Sequence, residues 1–125
     1  MLSYLQILQL ISFSLLMSCG QILFKKTALS LAGERDPNIV YGVVEGFIRA
    51  LSNPWLYLAL IVYAFATLFW LYILQRIPLP QAYPFTALAM VIVPVLSLII
   101  FGDKLSYSYW VGALLIISGI SIIAR

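Results

Sequence analysis

Ser14, Ser18, Gln21 and Lys25 follow one another at spacings of 4, 3 and 4 residues. On an α-helix that spacing stacks them along one face. Two hydroxyls, a carboxamide and an ammonium in a row can hydrogen-bond a polar ligand and neutralise an anion. The surrounding stretch is apolar, so this face must meet protein or water rather than lipid. Two readings stand side by side. In one, the stripe walls a substrate cavity and Lys25 is its binding cation. In the other, Lys25 snorkels to the interface and the serines bond the carbonyls four residues back. Lys26 reads as a plain interfacial lysine.

Three other groups have chemistry to offer. Gln81-Ala82-Tyr83-Pro84 opens an apolar run. A kinked helix end with a phenol and an amide suits a sugar or another polar head; the same residues also make an ordinary interface anchor. Tyr63 and Trp70 are seven apart, on one face of a second run. A polar-tipped aromatic deep in a bilayer needs a hydrogen-bond partner, so these two either line a cavity or pack in the core. Gly112 and Gly119, also seven apart with Ser118 nearby, form a small-residue face that lets two helices approach closely. That face points to self-association. Pro84 and Pro94 share one run; each removes a backbone hydrogen bond, which makes them hinge candidates.

The elements that must position these groups are four apolar runs, residues 1–24, 54–75, 77–101 and 105–124. About 20 apolar residues are enough to span a bilayer as a helix. The chain has 125 residues, 64% of them hydrophobic and 9% charged, whereas a soluble domain carries about 25% charged residues. The expectation is a single all-α membrane domain of four transmembrane helices, about 3–31, 54–75, 79–101 and 105–124. The first run lacks a basic segment before it and exceeds a signal-peptide core, so it reads as a retained helix. The short links at 76–80 and at Gly102-Asp103-Lys104 make antiparallel hairpins. Between the first two spans, a polar turn at 33–37 leads to a short amphipathic interfacial helix over 38–51. Its apolar Val40, Val43, Val44, Phe47 and Leu51 follow helical spacing, opposite Asn38, Glu45 and Arg49. A partly apolar loop is the alternative.

Charge limits the function. All four acids, Glu34, Asp36, Glu45 and Asp103, lie outside the apolar runs. A transport cycle on a buried titrating carboxylate is therefore not expected, and an acid-free cavity with one lysine suits an anion. There is no histidine and only one cysteine, Cys19. This excludes His-based metal, haem or general-base sites and any intrachain disulfide, and no cofactor is implied. The basic residues are scattered, so nucleic acid is not a partner. Four spans leave no head domain for catalysis, so the chain is not read as an enzyme. Lys25, Lys26, Arg35, Arg49 and Lys104 fall on one side of the membrane; Arg76 and Arg125 fall on the other. Five against two favours the first side as cytoplasmic.

Several short motifs together resemble the four-helix members of the drug/metabolite transporter superfamily. They are Gly20-Gln21 followed by Lys25, Leu74-Gln75 with Pro78, Ala82-Tyr83-Pro84, and Gly102-Asp103-Lys104-Leu105 followed by Gly112 and Gly119. The superfamily includes the small multidrug resistance exporters and the small EamA-like proteins, among them subunits that flip aminoarabinose-phospho-undecaprenol. The exporters carry a glutamate three residues before the glycine matched by Gly20; here that residue is Met17. The flippase-like branch also lacks the glutamate. The resemblance thus implies a dimer paired through the fourth span, with an identical chain or a paralogue, in a bacterial inner membrane. It implies translocation of a sugar-bearing polyprenyl phosphate between leaflets. Lys25 would meet the phosphate, Gln21, Ser18, Ser14 and Tyr83 the head group, and Trp70 and Tyr63 the apolar wall. Two other readings compete: a small multidrug-type exporter of cationic or polar molecules, and a non-transporting partner of a membrane glycosyltransferase.

Overall fold

The computed structural model describes residues 2–33 and 42–125. The first helix, α1, runs Tyr4–Gly33. Its 30 residues rise about 45 Å, more than the roughly 30 Å of a hydrocarbon core. Lys25 stands about 30 Å from the start of α1, where that core would end.

A short helix α2, Val43–Leu51, follows. It turns through Ser52 into α3, Pro54–Leu74, whose start is capped by Asn53 Oδ1 accepting from the Trp55 amide at 2.9 Å. Pro54 fits there because a first-turn N–H has no helical acceptor to lose. Residues 38–41 of the expected interfacial helix, and the polar turn residues 34–37, lie outside the described residues.

The next span, Leu79–Phe101, is not one α-helix. It begins as α4, Leu79–Ala82, continues as a 3₁₀ segment, Tyr83–Leu88, and resumes as α5, Ala89–Phe101. Pro84 cannot donate to the carbonyl four residues back and crowds it, which loosens the helix there. Six residues is long for a 3₁₀ run. Part of the support comes from outside: Ser14 Oγ donates to the Phe85 carbonyl at 2.8 Å. Gly102, at φ 70°, ends α5 in the left-handed conformation that glycine adopts without penalty. The last helix, α6, spans Tyr107–Ile123 and is capped by Ser106 Oγ.

Helix α1 is the centre of the packing, with α3 on one side and the 3₁₀ segment and α5 on the other. Helix α6 leans on the 3₁₀ segment and α5, and Tyr109 donates its hydroxyl to the Val91 carbonyl at 2.7 Å. The core joins Leu10, Phe13, Ala66, Ile73, Phe85 and Ile120. Among the described residues all regular structure is helical. Three helical spans, Tyr4–Gly33, Pro54–Leu74 and Leu79–Phe101, are long and apolar enough to cross a membrane; α6 is apolar but shorter. The chain is a multi-pass helical membrane protein.

Candidate functional site: a furrow between the first and third spans

The polar stripe on α1 is covered at one end and open at the other. Ser14 and Ser18 are fully buried. Ser14 Oγ also bonds the Leu10 carbonyl at 3.0 Å, and Ser18 Oγ bonds the Ser14 carbonyl at 2.7 Å. Both hydroxyls are thus engaged with backbone and neither lines an open cavity. For the serines this is the second of the two readings, bonds to the carbonyls four residues back. Gln21 and Lys25, further along the same face, are exposed.

Two adjoining grooves lie beside this open part. One, of about 410 Å³, is lined by Gln21, Lys25, Phe24, Val93, Ser97 and Asp103. The other, of about 530 Å³, is lined by Met17, Gln21, Tyr83, Thr86, Met90 and Pro94, among others. Gln21 and Val93 belong to both, so the pair forms one furrow between α1 and the third span. From Tyr83 to Ser97 it runs roughly 20 Å along the helix, most of a hydrocarbon core. It is polar at both ends and apolar through Met17, Met90 and Val93. Both volumes fall in the range of about 300–1,000 Å³ usual for small-molecule sites.

Of the two prolines, Pro94 is a lining residue of this furrow, and Pro84 is next in sequence to the lining residue Tyr83. Pro94 lies inside α5, where it brings no N–H to the Met90 carbonyl. Pro84 lies in the 3₁₀ segment beside Tyr83, which is 64% exposed. Met17 lines the furrow as well. The position at which the small-exporter pattern has a carboxylate is thus a wall position, and here it carries a thioether.

Tyr63 and Trp70 are elsewhere, in the α1–α3 contact. Trp70 stacks on Phe13 with ring centroids 4.7 Å apart. Tyr63 meets Phe24 at 5.0 Å, and its ring covers Gly20 so closely that a Cβ there would stand 2.6 Å from Cε2. The Tyr63 hydroxyl is buried with no hydrogen-bond partner among the described residues. Of the two alternatives for these aromatics, the contacts are those of packing between α1 and α3. Gly112 and Gly119 behave differently: a Cβ on either meets nothing within 4 Å among the described residues.

Asp103, in the hairpin between the third and fourth spans, is a groove residue that periodicity does not single out. Its amide donates to the Ser97 carbonyl at 3.4 Å, and its carboxylate accepts from the Ser97 hydroxyl. The turn at Gly102 thus folds the acid back onto the end of α5, into the groove that Lys25 lines. The furrow is not acid-free. Its spacing signal was there to be read: the end of α1 and the end of α5 must lie on the same membrane side.

The EamA-like transporter family profile matches residues 39–125. A protein of Aeromonas salmonicida named "Probable 4-amino-4-deoxy-L-arabinose-phosphoundecaprenol flippase subunit ArnE" is 33% identical over 115 residues, 92% of this chain and 93% of its own. A protein of the same name from Aeromonas hydrophila is 33% identical over 104 residues, covering 83% and 84%. Another from Pseudomonas fluorescens is 35% identical over 77 residues, covering 62% and 68%. No solved structure matches. On the extent of the profile match and of these likenesses, the chain belongs to the EamA-like transporter family.

Proposed function

We propose that this chain is a subunit of a flippase that moves a sugar-bearing polyprenyl phosphate between the leaflets of a bacterial inner membrane. The observation that carries this reading is the furrow: Lys25 at one end, Tyr83 at the other, Gln21 where the two grooves join, and apolar Met17, Met90 and Val93 along the passage. A head group crossing a bilayer needs polar partners at both faces and a short apolar passage between them. The relatives' names supply the substrate class, a phosphoundecaprenol carrying an amino sugar.

In this mechanism Lys25 meets the phosphate as a compact point charge. Gln21 offers amide hydrogens to the sugar as the head group passes from one groove to the next. Tyr83 and the Thr86 hydroxyl receive it at the far end. The tail stays in lipid, because the furrow opens sideways. The 3₁₀ segment and Pro94 give the third span the freedom to widen or close the passage. No bond is made or broken, so the chain acts as a transporter rather than an enzyme.

Helix α6 serves as the fourth span and carries the contact with a second chain, whether a copy or a paralogue. Gly112 and Gly119 offer that partner a face free of side chains. Helix α2 lies on the membrane surface. Its Val43, Val44, Phe47, Ile48 and Leu51 are all exposed and share one side, which suits burial at the head-group boundary. The Tyr57 hydroxyl donates to the Leu51 carbonyl, which ties the end of α2 to the start of α3, and Lys26 of α1 sits 4.9 Å over the Trp55 ring.

The test is leaflet transfer in vesicles holding the complex purified from its native membrane. A polyprenyl phosphate carrying the amino sugar should become accessible from the opposite leaflet faster than in protein-free vesicles. Equal rates would end this reading.

A further inference from the structure

The carboxylate of Asp103 stands at the C-terminal end of α5. That is the wrong end for a negative charge, because the unpaired carbonyls there already carry about half an elementary charge of the same sign. Lys104 follows it in the chain and Lys25 lines the same groove. Ser97 Oγ holds one carboxylate oxygen, and the backbone bond from Asp103 N to Ser97 O holds the residue in place. With one oxygen on Ser97 the carboxylate keeps acceptor capacity at the other, and Asp103 is a lining residue of the groove. The groove therefore offers an ammonium and a carboxylate together, with the Gln21 amide beside them. A site with both signs within one small volume selects a ligand with both signs.

We infer that Asp103 reads a positively charged amine on the head group, so that the furrow takes a zwitterion, its phosphate at Lys25 and its ammonium at Asp103. This rests on the transport reading above and makes Asp103 the specificity-determining residue of that site. A neutral sugar whose phosphate engages Lys25 would bring no cation of its own to Asp103. An ammonium on the head group brings one, and charge-assisted hydrogen bonds are the stronger kind. Phosphate and ammonium also occur together in phosphatidylethanolamine, so the same chemistry has two lipid sources.

The experiment compares binding first and movement second, on the intact complex. The probes are a short-chain polyprenyl phosphate carrying the amino sugar, the same lipid with its amine formylated, and short-chain phosphatidylethanolamine. Wild type should bind the free amine about tenfold more tightly than the formylated lipid, the scale of one charge-assisted bond. Asp103→Asn keeps an acceptor for Ser97 and the turn, and should lose that preference while binding the formylated lipid as wild type does. Ser97→Ala should reduce the preference part of the way. A loss that falls equally on both polyprenyl probes would make Asp103 a turn residue and overturn the inference, as would an unchanged preference. Selective binding without leaflet transfer would overturn the transport reading and leave this one standing. Competition by phosphatidylethanolamine at equal strength would support the zwitterion and assign it to ordinary bilayer lipid.

Discussion

At the residue scale, the α1 stripe divides into two jobs by how closely the third span approaches it. Where the 3₁₀ segment touches α1, Ser14 and Ser18 are fully buried and bonded to backbone. Ser14→Ala removes the bond to Phe85 and should lower thermal stability by about 0.5–1.5 kcal/mol, the range of interhelical hydrogen bonds in membranes. Transfer measured well below the melting temperature should persist. Gly20 is constrained from the other side. The methyl of Gly20→Ala would overlap the Tyr63 ring, and the expected cost is about 1–3 kcal/mol, read as a lower melting temperature in detergent. By contrast, the Tyr63 hydroxyl lacks a partner among the described residues. Tyr63→Phe should leave stability unchanged or raise it slightly, because an unpaired buried hydroxyl contributes only its desolvation. A marked loss of transfer in Tyr63→Phe would show that this hydroxyl serves the substrate after all.

At the element scale, the long helices were legible because their cause is local. Apolar runs of spanning length, the Asn53-Pro54 start and the glycine at 102 are all short-range signals. The 3₁₀ stretch was legible only in part. Pro84 announces a disturbed helix, but its extent depends on a hydroxyl from α1, 71 residues earlier in the chain. The site was half legible for the same reason. Periodicity put Gln21 and Lys25 on one face, and they do share a groove. It could not tell that Ser14 and Ser18 on that face would be covered, since this depends on where two helices converge. Nor could it show that Tyr63 and Trp70 face α1 rather than the furrow. Asp103 is not legible from periodicity because it sits in a turn between spans, and only the left-handed Gly102 folds it back over the helix end. A prediction belongs here too. If α2 lies at the head-group boundary, then in a variant lacking Cys19, Phe47→Cys should resist a water-soluble maleimide while Glu45→Cys reacts. Equal labelling would place α2 in water.

At the scale of the whole molecule, the proposed contact with a second chain lies on α6, away from the open side of the furrow. The α6 face with Gly112 and Gly119 has room for one, because a Cβ at either position meets nothing within 4 Å among the described residues. Gly112→Leu or Gly119→Leu should therefore leave the fold of the single chain intact and weaken assembly, seen as loss of crosslinked dimer in membranes. Unchanged crosslinking would move the contact to another face. The central claim is narrower: one lysine in the furrow handles the phosphate. Adjacent lysines give it an internal control. Lys25 lines the groove, whereas Lys26 sits over Trp55 on another side of α1. The most direct measurement is the leaflet-transfer rate of the polyprenyl phosphate amino sugar for Lys25→Ala and Lys26→Ala in the reconstituted complex. Lys25→Ala should lose about tenfold or more, the scale of a hydrogen bond to a charged group, while Lys26→Ala stays near wild type. Full activity in Lys25→Ala, or equal losses in both, would contradict the assignment.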